Sequence, residues 1–310
     1  MLVDTSRELA LFLEKMRFLR GISQEEFTEG IISNRQYQRY VRGESPMPYH
    51  LIDLFAERLN VRKEQLLLEF DNHTLKETMN IINYFQAVSN RDMDQINHYK
   101  SLIDPEYIIE PDNRKTYQLT KLNEDYILNK ISQEQYKLGL LKLIEYPKIL
   151  SQTAMSYFEV NVLSKLIDFV STDEQNLIAQ KIGNYLENPD LIWSGNQIVT
   201  FNVLIFRLAR YYGIKEDYKS VITYSNLGIK MNTRSKSLNN LDYYFYFLAL
   251  SYFRLNDQDK FKENLYKCYG ALIANNNQSR MQFFTQVIEK DFKINYKEFI
   301  ISYLKDKPGL

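Results

Sequence analysis

Apolar positions recur at helical spacing along almost the whole chain, and no segment shows convincing strand alternation. Residues 5–20 place Leu9, Phe12, Leu13, Met16 and Leu19 on one side, which predicts an amphipathic first helix. Ser23 with Glu26 three positions on is a capping box, so a second helix opens at Gln24, buries Phe27 and ends at Gly30. Ile31 and Ile32 sit under the following turn, and Ser33 caps a third helix that runs to Arg42. A fourth covers 48–59 with Leu51, Leu54, Phe55 and Leu59 inward, and a short fifth covers 62–69.

The periodicity then continues as helix after helix. The expected segments are 74–89, 93–103, 114–129, 132–145, 154–169, 172–186, 195–212, 217–231, 238–254, 258–273, 278–290 and 296–304. Breaks are expected at Asp104-Pro105, Glu110-Pro111, Tyr146-Pro147 and Asn188-Pro189, because the residue before proline is driven out of the helical region. The pattern predicts an all-α protein with one domain over 1–70 and a helical-repeat domain over 71–310.

The third helix divides most sharply. Tyr37, Tyr40 and Val41 follow the spacing of a buried stripe, while Arg35, Gln38, Arg39 and Arg42 fall opposite, flanked by Asn34 and Gln36. From Ser33 to Arg42 there are three arginines and three amides, and no acid. Arginine pairs bidentately with guanine, and asparagine or glutamine with adenine, in the DNA major groove. Gln24, in the first turn of the preceding helix, suits a phosphate. Gln24, Ser33, Asn34, Arg35, Gln36, Gln38, Arg39 and Arg42 are therefore the candidate DNA-binding residues. An ordinary solvated helix face is the plain alternative, and the lack of any acid argues against it.

The run Gly21-Ile22-Ser23-Gln24-Glu25-Glu26-Phe27, with Ile32-Ser33, Tyr37, Arg39-Tyr40 and Gly43-Glu44, resembles the lambda-repressor-like, or Xre-type, helix-turn-helix family. The resemblance covers about residues 1–70 and implies a five-helix DNA-binding domain. Val41 departs from it, standing where the family usually carries glutamate. By resemblance, Gln24, Asn34, Arg35 and Gln38 face the bases or the adjacent backbone.

Charge tempers this expectation. The first 70 residues hold ten Lys/Arg and eleven Asp/Glu, and the whole chain holds 39 of each sign. Affinity driven by counterion release is then modest, and a local patch doubled by dimerisation has to supply the rest. At 310 residues the chain accommodates two cores, and ten glycines and seven prolines favour long helices. No apolar run reaches the length of a membrane span, and Asp4 and Glu8 do not suit a signal peptide. Cys268, the one cysteine, excludes an internal disulfide and fits a reducing cytoplasm.

Internal repetition marks the second domain. Leu208-Ala209-x-x-Tyr212 returns forty positions later as Leu248-Ala249-x-x-Tyr252, each copy leading through an Asp-containing turn to a second helix opening with Tyr218 or Phe261. This resembles a tetratricopeptide repeat, at a spacing longer than the usual 34 or so. Stacked helix pairs form a solenoid with a concave face suited to peptides, and the 24 tyrosines offer flat surfaces for gripping one.

A reader of this type fused to degenerate helix pairs resembles the Rgg/PlcR-type peptide-responsive regulators of Gram-positive bacteria. Tyr157-Phe158-Glu159-Val160-Asn161, Tyr185-Leu186-Glu187-Asn188 and Leu208-Ala209 suggest the Rgg/GadR/MutR branch. The resemblance implies a cytoplasmic homodimeric transcription regulator. Its partners would be double-stranded DNA with a pseudo-palindromic operator and a short quorum-sensing peptide in the repeat groove. Asn161, Asn202, Arg210 and Tyr243 are the candidate peptide contacts.

Enzymatic readings find little support. His50, His73 and His98 are widely spaced with no cysteine near them, and no glycine-rich loop follows a strand, so no metal, cofactor or catalytic residue is expected. Two other readings stay open: a helical-repeat interaction scaffold, and a DNA-binding regulator without a peptide ligand.

Overall fold

The computed structural model describes residues 6–194 and 197–306. Thr5 and Gly195, expected to open helices, lie outside the described residues. Among the described residues there are sixteen α-helices, three short 3-10 turns and no strand; Met155 and Ile192 form an isolated parallel bridge. The chain folds as two compact units. The first extends to Ser89 and includes Met93–Lys121; the second takes Asn90–Asp92 and everything from Leu122.

The first unit opens with α1 (Ser6–Leu19), α2 (Gln24–Thr28), α3 (Asn34–Arg42) and α4 (Leu51–Arg58). Its core is aromatic. The Phe27 ring stacks on Phe55 at 4.9 Å between centroids, and Tyr37 meets Phe27 edge-on at 5.6 Å. Leu9, Phe12, Leu13, Leu51, Ile52 and Leu59 are among the other buried residues packed into it. Two expected core residues are exposed: Leu19, at the edge of the α1 stripe where the chain turns through left-handed Gly21, and Leu54 on the outer side of α4.

The expected short fifth helix and the helix at 74–89 are one continuous element, α5 (Lys63–Asn90). Asp71, Asn72 and His73 interrupt the apolar pattern but not the backbone, since no proline or glycine falls between them. The His73 side chain packs against α1: its ring lies 5.5 Å from Phe12 and accepts from the Lys15 ammonium at Nε2, 2.8 Å away. α6 (Met93–Ser101) and the start of α7 (Pro111–Ile127) finish this unit. Glu77 of α5 accepts from the Ile109 and Glu110 backbone N–H groups, satisfying donors at the start of α7.

The second unit is a succession of antiparallel helices: α8 (Gln133–Leu143), α9 (Tyr157–Leu166), α10 (Thr172–Glu187), α11 (Gln197–Ile214) and α12 (Tyr218–Ser235). It continues with α13 (Leu241–Arg254), α14 (Gln258–Asn275), α15 (Gln278–Phe292) and α16 (Tyr296–Asp306). All four expected proline breaks are present, as 3-10 turns after Asp104, Pro147 and Asn188 and as the start of α7 at Pro111.

The forty-residue repeat is geometric as well as sequential. Leu208, Ala209, Leu248 and Ala249 are all buried. Glu216 and Asn256 both take left-handed backbone, at φ 58° and 59°. Asp217 and Asp257 then cap α12 and α14 by accepting from Ser220 and Lys260 backbone N–H groups. The position equivalent to Phe261 is Val221, not Tyr218; both are buried. α11 touches both α9 and α13 as well as its sequence neighbours, which places α9, α11 and α13 in one layer of the repeats. The fold is all-α: a five-helix, lambda-repressor-like head followed by tetratricopeptide-like repeats. No described helix is long and apolar enough to cross a membrane.

Candidate functional site

The third helix of the first unit, α3, is positioned by its caps. Ser23 Oγ accepts from Glu26 N at 3.1 Å, so one half of the expected capping box is made. Ser33 Oγ accepts from Gln36 N at 3.2 Å and fixes the start of α3. At the other end Gly43 takes φ 72°, and the Gly43 and Glu44 N–H groups close onto Tyr40 and Arg39 carbonyls. Tyr37 and Tyr40 are buried beneath and Val41 is partly buried, as the stripe predicts.

A hydrogen-bond relay holds this helix against its neighbours. Gln38 Nε2 donates to Gln24 Oε1 at 3.2 Å, and Gln24 Nε2 donates to Glu14 Oε1 at 2.8 Å. Glu14 in turn accepts two bonds from Arg17, one of them 2.9 Å from Nε, and Arg17 also donates to the Ile22 carbonyl. Burial by itself raises the Glu14 carboxyl, but the bonds from Arg17 and Gln24 outweigh it and hold the group below its ordinary range. Burial first, then the Glu14 carboxylate, push the Tyr37 phenol far above its usual value. α1, α2 and α3 are thereby fixed in one register.

On the outer face, Arg35, Arg39 and Arg42 are exposed, while Asn34, Gln36 and Gln38 are half-buried. Arg35 has no hydrogen-bond or ion-pair partner among the described residues. Arg39 and Arg42 both lie near Glu44, at 3.7 and 3.8 Å. These are surface pairs of small worth. Gln36 donates to Ser45 Oγ at 3.1 Å and accepts from Arg39 at 3.3 Å, and the Asn34 side-chain oxygen is buried without a partner. All eight candidates therefore cluster around the start and outer face of α3, with Gln24, Gln36 and Gln38 braced and Arg35 free. His50 stands just before α4 and makes no side-chain cap.

Several cations of the first unit bond to its own backbone. Arg17 and Arg20 bond to the Ile22 and Leu59 carbonyls, and Arg58 bonds to the Glu26 and Glu29 carbonyls at the end of α2. These cations are internal fasteners, which leaves the arginines of α3 to present charge outward.

The four candidates of the second unit lie on α9, α11 and α13, but in different settings. Asn202 is buried: its Oδ1 accepts from Asn232 at 3.2 Å and from the Tyr244 hydroxyl at 3.3 Å, tying three helices together. Asn161 is buried and donates to the Tyr157 hydroxyl at 3.3 Å. Arg210 is half-exposed and its Nε lies 3.2 Å from Asp168. Tyr243 is partly buried between Phe206 and Phe284, with the Arg280 guanidinium 5.1 Å above its ring.

Sequence reasoning missed Arg207, Asp168 and Lys165. Arg207 donates to the same Asp168 at 3.0 Å and lies over the Phe206 ring. Burial, and then Arg207, lower the Lys165 ammonium to about 7, although the residue as a whole keeps part of its surface exposed. The i, i+3 spacing of Arg207 and Arg210 was visible; the acid that joins them, some forty residues earlier, was not. Among the described residues no group of three His, Cys, Asp or Glu could hold a metal ion.

No family model and no curated protein matches the chain. Solved structures do. ComR from S. thermophilus, in complex with DNA and its signalling peptide ComS, superposes with a TM-score of 0.51 at 15% identity, covering 91% of this chain and 99% of that one. The competence regulator ComR from Streptococcus vestibularis, in complex with its cognate signaling peptide XIP, gives 0.50 at 14% identity, covering 92% and 99%. PlcR from Bacillus thuringiensis, in complex with the peptide PapR7 and DNA, gives 0.46 at 13%, covering 89% and 98%. The class defined by the fold is a helix-turn-helix head joined to helical repeats. Within that class the chain has the fold of ComR over nearly its full length.

Proposed function

We propose that the chain is a homodimeric, DNA-binding transcription regulator of the Rgg/PlcR type, controlled by a short signalling peptide in the cytoplasm. Residues 1–70 act as the DNA-reading head and residues 71–310 bind peptide and join the subunits. α3 enters the major groove, with Arg35, Asn34 and Gln38 at base edges. Ser33, Gln24, Gln36, Arg39 and Arg42 lie toward the phosphates. Arg210 and Tyr243, with Asn161 and Asn202, line or support the peptide site on α9, α11 and α13. Two heads then match half-sites one helical turn or a multiple apart, and peptide binding biases their placement. Chemistry on a substrate has no part in this reading.

The observation that carries it is the face of α3. The helix carries no acid from Ser33 to Arg42, is capped by Ser33 and braced by the Gln38–Gln24–Glu14–Arg17 relay, and presents an unpaired guanidinium at Arg35. The test is fluorescence anisotropy on a library of genomic fragments across a salt series, with and without culture supernatant. A steep fall of affinity with salt and a shift on adding supernatant are expected. Absence of any salt-dependent binding would leave an interaction scaffold instead. The internal bonding of Asn161 and Asn202 favours, as second reading, a regulator without a peptide ligand. Strong DNA binding that never responds to supernatant would select it.

A further inference from the structure

We propose that Arg207 and Arg210, gathered at Asp168 where the end of α9 meets α11, form a recognition site for a carboxylate carried by a short apolar peptide. The inference deepens the peptide-binding reading and rests on it.

Charge is the first argument. Arg207 Nη1 lies 3.0 Å and Arg210 Nε 3.2 Å from the same Asp168 carboxylate. Two guanidiniums sharing one carboxylate leave one positive charge over, and Lys165 stands close enough to feel both Arg207 and Asp168. Fastening the end of α9 to α11 needs a single arginine. The second brings like charges together in a partly desolvated place, which costs stability until an anion enters.

Hydrogen bonding is the second argument. The Arg207 Nε is buried and has no acceptor. A buried donor left unpaired is unfavourable, and a carboxylate oxygen is the strongest acceptor for it. Arg207 and Asp168 are mostly buried, whereas Arg210 is 47% exposed, so the cluster opens to the surface on the Arg210 side.

The surroundings define the rest of the ligand. Phe206, under Arg207, contacts Tyr243 at 4.9 Å and Phe247 at 5.8 Å. Tyr136, whose phenol feels Arg207 and Asp168, packs on Phe169 at 5.2 Å. Aromatic surfaces beside a cationic centre suit an apolar peptide carrying one acidic group. That group is either its C-terminal carboxylate or an aspartate or glutamate side chain.

The experiment uses the full-length chain and four matched pools of N-acetylated hexapeptides built from Leu, Ile, Val, Phe, Trp and Gly. One pool ends in a free carboxylate and one in a carboxamide; the other two are carboxamides carrying a single Asp or a single Asn. Affinity selection with mass-spectrometric readout ranks the binders, and titration measures them. An acidic pool is expected to yield binders about tenfold or more tighter than its neutral match, and which pool does so identifies the source of the carboxylate. Arg210→Gln, at a half-exposed position, should abolish the preference with circular dichroism unchanged. Asp168→Asn should tighten the acidic binders by removing the internal competitor. Equal binding of acidic and neutral members overturns this site while leaving the peptide reading intact. Failure of all four pools to bind overturns the peptide reading and this site with it.

Discussion

The arginines of the two units do different work. On α3, Arg35, Arg39 and Arg42 are exposed along one helix face. In the second unit Arg280 is sunk against Asp242, with Nη2 2.8 Å from the carboxylate, and Arg207 and Arg210 converge on Asp168. Exposure decides the difference. A guanidinium in water is held loosely and can be handed to a partner, whereas one removed from water is bound to its acid and becomes part of the scaffold. The Asp168 cluster lies between these extremes.

The comparison can be broken first at its most buried member. Asp242→Ala strands Arg280 in a desolvated site and should cost about 3–5 kcal/mol of stability, measured by urea denaturation. A loss below 1 kcal/mol would show that water reaches Arg280. Arg35→Ala should leave the denaturation midpoint unchanged while weakening operator binding by about 1–3 kcal/mol in anisotropy titrations. Unchanged operator affinity would mean that α3 presents another face.

Smaller effects sharpen the picture. Glu44→Gln releases Arg39 and Arg42, so binding to non-specific duplex should tighten, and its plot of log affinity against log salt should steepen by up to about one. A pH-dependent effect belongs to Lys165. Its folded pKa of about 7 lies below the 10.5 of an exposed lysine, so between those values the unfolded chain holds more protons. Stability should therefore rise from pH 7 toward pH 10 and fall as pH drops toward 7. Lys165→Met should flatten that rise in urea titrations at pH 7 and pH 9.

Much of this was legible in the sequence because it is written in local chemistry. Ser33 and Gly43 mark the ends of α3, Tyr37 and Tyr40 its buried side, and the Leu208-Ala209 and Leu248-Ala249 pairs the repeat. The continuity of α5 was hidden because Asp71, Asn72 and His73 resemble a linker, although nothing in their backbone requires one. Long-range pairing was hidden more deeply. Asn202 carries the polarity expected of a ligand contact, yet Asn232 and Tyr244, thirty and forty-two positions away, take up its amide. Likewise, nothing local at Asp168 announces the two arginines that meet it.

The amide pair across the helical turn has a consequence for how binding preference could change. Because Gln24 and Gln38 are each other's neighbours in a single bond, replacing either one alone moves the other. If α3 reads DNA as proposed, a shift in preferred duplex sequence at this place is a two-letter edit, and double exchanges should succeed where each single exchange merely loosens the grip.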